Sequence, residues 1–88
     1  MSAQKLEWQD LWDAMEASPD AWIDTTENMF WTMLEVLPPR ASVYNAFLVG
    51  EPLRSNDQGE TLYACFSRMG DNFRARNLTV KQFKEMTA

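Results

Sequence analysis

The stretch WTMLEVLPPRASVYNAFLVGEP, residues 31–52, decides the fold, because a helical pattern and a strand pattern meet in it. The helical apolar pattern ends at the two prolines, and a dense apolar run follows until Gly-Glu-Pro at residues 50–52. Neither proline has an N–H, and Pro38 disfavours helical backbone at Leu37. The stretch therefore predicts a helix that stops abruptly, followed by a strand that begins near Val43 and ends at residues 50–52.

Two helices are predicted before the prolines. The first covers residues 4–16 and carries four apolar side chains at helical spacing: Trp8, Leu11, Trp12 and Met15. The second begins at an N-cap that is Asp24, Thr25 or Thr26, with Glu27 completing a variant of the capping box after Asp24. Its core stripe consists of Phe30, Met33, Leu34 and Leu37. Trp22 and Ile23, between the two helices, are expected to be buried.

Three strands are predicted after the prolines, over residues 43–49, 61–68 and 73–77. Polar and glycine-containing segments separate them and predict a long hairpin loop and then a tight turn. The third strand alternates cleanly. Phe73 and Ala75 are expected on one face of it, and Arg74 and Arg76 on the other.

The last helix has the clearest local signal. Thr79 and Gln82 form a capping box, and Leu78 with Phe83 forms the matching hydrophobic staple, which predicts a helix over residues 80–86. The fold class is therefore α+β: two N-terminal helices, a three-stranded antiparallel β-meander and a short C-terminal helix. We expect one domain over residues 1–88, with one core and the helices on one face of the sheet.

The composition excludes several kinds of chemistry. The 88 residues contain no histidine and one cysteine, Cys65, so neither a histidine-dependent catalytic triad nor a structural zinc cage can form. Cys65 itself reads as a small buried hydrophobe. We expect no enzyme, no cofactor and no metal site. No apolar run resembles a signal peptide or a membrane span, so a cytoplasmic protein without membrane contact is expected.

Charge is unevenly distributed. Residues 1–37 carry eight acids and one base, a net charge of −7, and residues 38–88 carry seven bases and five acids, a net charge of +2, which together give −5. Three carboxylates lie on the first helix away from its apolar stripe: Asp10, Asp13 and Glu16. They form either an ordinary solvated face or an acidic surface that mimics nucleic acid phosphate towards a protein partner.

Three arginines near the end of the predicted sheet are the candidate basic surface: Arg68, Arg74 and Arg76. This surface is either the ordinary polar side of a half-exposed sheet, or a contact for an acidic protein, or a nucleic-acid site in which Tyr63 and Phe73 stack on bases.

Trp31 falls to one side of the apolar stripe of the second helix. It is either an exposed anchor for a protein interface or a cover for the first helix or for the segment at Trp22. A three-stranded sheet has two open edges, so the chain is either a monomer or a two-fold homodimer.

Several segments together resemble a known family. LEVLPP, FLVGEP and YACF, with LTVKQF further on, are similar to motifs of a bacterial family associated with plasmids and mobile elements, known as the domain of unknown function number fourteen-nineteen. The resemblance covers residues 25–83. It implies no known activity and no catalytic residue, but it implies a mobile-element setting, where small proteins often bind host machinery.

The sequence thus predicts a small binding module that acts through protein–protein contacts, as a plasmid- or phage-encoded accessory or inhibitor protein. Its contact residues are expected among Trp31, the acids of the first helix and the three arginines. The alternative is a nucleic-acid-binding protein that uses the sheet face of Arg74 and Arg76.

Overall fold

Three helices and five strands make up the part of the chain that the computed structural model describes, residues 8–37, 39–43 and 45–87, with backbone alone at 50–54 and 87. Their bounds in chain order are α1 Trp8–Ala17, β1 Ile23–Thr25, α2 Glu27–Val36, β2 Pro39–Val43, β3 Ala46–Ser55, β4 Thr61–Met69, β5 Asn72–Leu78 and α3 Val80–Thr87. The α+β class is confirmed. The three-stranded meander is wrong, because β1 and β2 were not predicted.

The five strands form one antiparallel sheet in the order β1-β5-β4-β3-β2. Strands β2 to β5 follow one another as a meander, and β1 adds to the far side of β5. The two strands that the sequence did not predict are therefore the two edges. β1 has only three residues, and β2, with the sequence PRASV, shows no apolar alternation. Pro39 lacks an N–H and is tolerated because it begins an edge strand.

β3 is longer than predicted, since the segment 50–52 lies inside the strand and does not end it. The register with β4 is irregular there. β3 advances from Leu48 to Pro52 while its partners move back only from Cys65 to Tyr63. The extra residues of β3 between these two pairs form a β-bulge, and they include Gly50. Glycine inside a strand often marks a bulge. Residues 50–52, which were predicted from the sequence to end the strand, thus lie at an irregularity within it.

The ends of α2 follow local rules. Thr26 is the N-cap, and its Oγ1 accepts from the backbone N–H of Met29 at 3.1 Å, whereas Asp24 belongs to β1. At the other end Leu37 is extended, with φ −114° and ψ 128°, as expected of a residue before proline. The predicted stop of this helix is confirmed at Val36.

The helices cover both faces of the sheet, and not one face as predicted. α1 and α2 lie on the first face over Phe47, Phe66 and Ala75. α3 lies on the second face, where its Phe83 contacts the layer that contains Cys65. Because neighbouring residues of a strand point to opposite faces, β4 contributes alternately to two apolar clusters. The sheet thus has a core on each side, in place of the single core predicted.

Candidate functional site

The exposed large apolar side chains gather around the turn between β2 and β3. Within the described residues they are Trp31, Leu34, Val36, Val43, Met69 and Met86. All except Val36 line one of two concave surfaces, and both surfaces include Asn45 and Ala46 of that turn. Scattered exposed apolar residues are ordinary, but a contiguous group of them marks an interaction site. The turn and its two flanks are therefore the candidate site.

The first surface, which we call the Trp31 cleft, lies between α2 and the β2–β3 turn. It encloses about 190 Å³, and its lining consists of Phe30, Trp31, Leu34, Ser42, Asn45, Ala46, Phe47 and Arg68. Trp31 is 39% exposed and Leu34 is 36% exposed. They are three residues apart on α2 and so lie side by side on one face of the helix. The cleft thus presents an apolar wall to solvent.

The indole of Trp31 is held in a defined orientation. Its Nε1–H donates to Oε2 of Glu27 at 3.2 Å, one turn earlier on α2. Its ring meets Phe30 edge to face, at 4.9 Å between centroids, and Phe30 in turn contacts the rings of Phe47 and Phe73. Of the two predicted roles for Trp31, the exposed position favours an anchor, because a side chain fixed before binding loses little entropy on binding.

Arg68 supplies the positive charge of the Trp31 cleft. Its Nε–H donates to the carbonyl of Gly70 at 3.2 Å, and its guanidinium lies 5.8 Å from the ring centre of Phe73. Arg68 shares the α1–α2 face of β4 with Phe66. Arg74 and Arg76 lie on the opposite face, so the three arginines do not form the single basic surface that the sequence predicted.

The second surface, which we call the Trp22 groove, lies on the α3 side of the sheet. It encloses about 430 Å³, and its lining consists of Trp22, Val43, Asn45, Ala46, Ser67, Met69, Arg74 and Met86. Val43, Met69 and Met86 are all exposed. The groove therefore combines apolar walls with one guanidinium.

Trp22 lies against both arginines of β5. The guanidinium of Arg74 is 4.4 Å from the ring centre of Trp22, and that of Arg76 is 5.7 Å away. Both side chains are half-buried, and the Nε of each is buried without a hydrogen-bond partner. Stacking on an aromatic face compensates in part for the lost hydration of a guanidinium. These arginines are thus a recessed pair and not a solvated basic face.

Cys65 lies beneath this pair in the centre of β4 and has no exposed surface. Burial raises the pKa of its thiol from 9.0 to about 12, although the nearby charges of Arg76 and Arg74 act to lower it. Desolvation outweighs the two charges because the thiol is enclosed. The prediction of a buried, unreactive filler is confirmed as to its burial, and Cys65 is no nucleophile at neutral pH.

The acidic residues of α1 lie apart from both surfaces. Asp10, Asp13 and Glu16 are exposed, and Asp13 accepts a hydrogen bond from Gln9 Nε2 at 2.9 Å. None of the three lines the Trp31 cleft or the Trp22 groove. Their expected role in partner binding stays a prediction for a separate surface.

The predicted base-stacking pair is also divided by the sheet. Phe73 is part of the α1–α2 core, whereas Tyr63 belongs to the α3 side, where the guanidinium of Arg40 lies 4.7 Å from its ring centre. Tyr63 and Phe73 therefore cannot stack on successive bases of one strand.

Sequence reasoning missed most of the lining of the two surfaces. Val43, Met69 and Met86 lie at the ends of elements and belong to no periodic stripe, and Asn45 lies in an unpredicted turn. Trp22 and Ile23 were expected to be buried and are only partly buried, and the contact of Trp22 with Arg74 depends on β1 pairing with β5. The only sequence signal for the groove was the alternation in β5, which placed both arginines on one face.

The described residues contain no group of three or more potential metal-ligating side chains, and no helix among them is long and apolar enough to cross a bilayer. No protein-family model matches the chain, and no curated protein or solved structure is found to be similar to it. The resemblance to the fourteen-nineteen family remains a prediction that depends on the quoted motifs.

Proposed function

We propose that this protein is a binding module that recognises another protein through the Trp31 cleft. One observation carries the proposal: Trp31 and Leu34, two of the exposed large apolar side chains among the described residues, lie side by side in the wall of this cleft. Tryptophan is enriched among the residues that dominate binding energy at interfaces, and Trp31 is both exposed and oriented in advance. No catalytic step forms part of the proposal.

The chemistry of the cleft defines the partner surface. An apolar side chain would enter between the wall formed by Trp31 and Leu34 and the β2–β3 turn, and a neighbouring carboxylate would pair with Arg68. The resemblance to the fourteen-nineteen family supports a plasmid- or phage-encoded accessory or inhibitor protein, whose partner would belong to the host.

Nucleic-acid binding is the weaker candidate. Phosphate contacts require several accessible cations on one surface. Here Arg68 lies on one face of the sheet, and the half-buried Arg74 and Arg76 lie on the other against Trp22. Binding of this kind would weaken steeply with salt and would be removed by Arg74→Glu and Arg76→Glu.

The test is a tagged pull-down from nuclease-treated bacterial lysate, with matched variants of α2. Trp31→Ala and Leu34→Lys should each abolish capture of a stoichiometric protein, whereas Glu35→Ala, at an exposed position of α2 outside the cleft, should leave capture unchanged. Thermal unfolding would verify that all three variants are folded. If capture survives Trp31→Ala and Leu34→Lys, the cleft is not the contact surface.

A triple variant separates the surface of α1 from the cleft. Asp10→Lys, Asp13→Lys and Glu16→Lys together reverse the acidic face and leave Trp31 intact. If the triple variant loses the partner and Trp31→Ala retains it, the acidic face is the contact surface and the proposal for the cleft is wrong.

A further inference from the structure

The Trp22 groove is not only an apolar surface, because the guanidinium of Arg74 lines it and lacks hydrogen-bond partners. Arg74 stacks on Trp22 at 4.4 Å, and its Nε is buried without a partner. We propose that the Trp22 groove binds a small amphipathic carboxylate, with the carboxylate on Arg74 and the apolar part against Val43, Met69 and Met86. This site is independent of the Trp31 cleft.

The charge of Arg74 calls for an anion. The guanidinium of Arg74 lines the groove and forms no side-chain hydrogen bond within the described residues, so a ligand carboxylate in the groove would supply a charge-assisted partner that the fold does not. Asp24 is the residue opposite Arg74 in the β1–β5 pair, but its side chain is exposed and no ion pair joins the two in the described part of the chain. Within the described residues Arg74 thus has no ion-pair partner, although Asp24 lies opposite it.

The geometry favours a carboxylate over a phosphate. The planar fork of one guanidinium matches the two oxygens of a carboxylate. A phosphate dianion would need further cations, and Arg76 lines a separate cavity of about 290 Å³ beside Asp20 and Asp57. Ser67 and Asn45 are the remaining polar residues of the groove and can donate to a carboxylate oxygen.

The apolar walls determine the rest of the ligand. A volume of about 430 Å³ suits a small molecule with one short aliphatic or aromatic portion. Met69 is 59% exposed, Met86 43% and Val43 40%, so a ligand would remove from water the apolar surface that the fold leaves open. Methionine side chains adapt to differently shaped apolar groups, which fits a class of ligands better than a single compound.

The experiment is an NMR titration of the ¹⁵N-labelled full chain with sodium octanoate, and with octanol as the neutral control of equal chain length. Octanoate should give saturable shifts of the Arg74 Nε–H and Trp22 Nε1–H signals. The affinity for octanol should be lower than that for octanoate by a factor of about ten or more, because octanol cannot form a charge-assisted hydrogen bond. Inorganic phosphate should leave both signals in place.

Two variants complete the test. Arg74→Gln should weaken octanoate binding about tenfold or more, and Arg40→Gln, which removes an equal charge at an exposed position outside both surfaces, should leave it unchanged. Equal affinities for octanoate and octanol would overturn the proposal, as would saturable shifts with phosphate or the absence of saturable shifts with octanoate. If Arg74→Gln does not fold, the comparison of octanoate with octanol on the natural chain still decides.

Discussion

Cys65 is the residue whose chemistry the fold changes most. Its thiol has a pKa of about 12 in the folded chain, raised by burial, against 9.0 as the ordinary value. A raised pKa in the folded state means that the contribution to stability is complete below pH 9 and is lost as the pH rises towards 12. In that interval the unfolded chain releases the proton and the folded chain keeps it.

We therefore expect the free energy of unfolding to fall between pH 7.5 and pH 10 by roughly 1 kcal/mol more in the natural chain than in Cys65→Ala. The variant is the control because every other titratable group is present in both proteins and cancels in the difference. Urea unfolding at both pH values measures it. If the difference in free energy of unfolding between the natural chain and Cys65→Ala is the same at both pH values, the thiol is not enclosed in the fold.

Gly70 holds the turn between β4 and β5 in a left-handed conformation, with φ at 62°. A Cβ placed there would meet nothing within 4 Å, so a substitution has only a backbone cost. We expect Gly70→Ala to lower the free energy of unfolding by about 1–2 kcal/mol. Gly70→Asn should cost less, because asparagine visits this region more readily. Chemical denaturation of both variants tests the order, and an equal cost for both would contradict it.

For single residues, the sequence predicted correctly those positions that depend only on the residue's own strand or helix. The alternation in β5 placed Arg74 and Arg76 on one face and Ala75 on the other, as the structure has them. The alternation could not show that Arg68 lies across the sheet from Arg74, because that depends on the register of β4 with β5, in which Arg68 pairs with Phe73. Nor could it bring Trp22 to Arg74, since β1 is too short to be recognised.

Among the elements, α3 is the one whose start was predicted most completely. The backbone N–H of Gln82 donates to Thr79 Oγ1 at 3.0 Å, and the N–H of Thr79 donates to Gln82 Oε1 at 3.0 Å. Leu78 and Phe83 lie in one apolar cluster, as the staple requires. All of these residues are within six positions of one another, which is why a local pattern sufficed.

We expect Thr79→Ala to lower the free energy of unfolding by about 1 kcal/mol, because the N–H of Gln82, in a partly buried hydrogen bond, loses its acceptor. Thr79→Ser keeps the hydroxyl and should recover most of the loss. Urea denaturation monitored by circular dichroism measures both variants. If Thr79→Ser were as unstable as Thr79→Ala, the threonine methyl group and not the cap would be what stabilises the helix start.

The edge strands and the bulge are where element prediction failed, and the reason is physical. A central strand is covered on both sides and shows apolar alternation, but an edge strand such as β2 is mostly exposed and does not. In β3, Gly50 and Pro52 are residue types that ordinarily end a strand. The strand continues beyond them because it pairs with β4. Tertiary pairing outweighed local preference in both cases.

For the whole molecule, the decisive feature is a single sheet with apolar clusters of unequal size on its two faces. Among the residues whose side chains the structure describes, ten buried ones form the cluster under α1 and α2, and four form the cluster under α3. Both candidate sites lie at the same end of the sheet, one on each face, and share the β2–β3 turn.

The unequal clusters predict that α3 opens before the rest of the fold. Phe83 is the one fully buried residue among the α3 side chains that are described, whereas α1 and α2 contribute five buried side chains to their cluster. In native-state hydrogen exchange, the α3 amides should exchange through a partial opening of lower free energy than that of Ala64 and Phe66 in β4. Phe83→Ala, expected to cost about 3 kcal/mol, should remove α3 protection and expose Cys65 to thiol reagents at neutral pH. If the amides of α3 and β4 exchange with the same free energy and lose protection in one transition, the two faces unfold as one unit and the prediction is wrong.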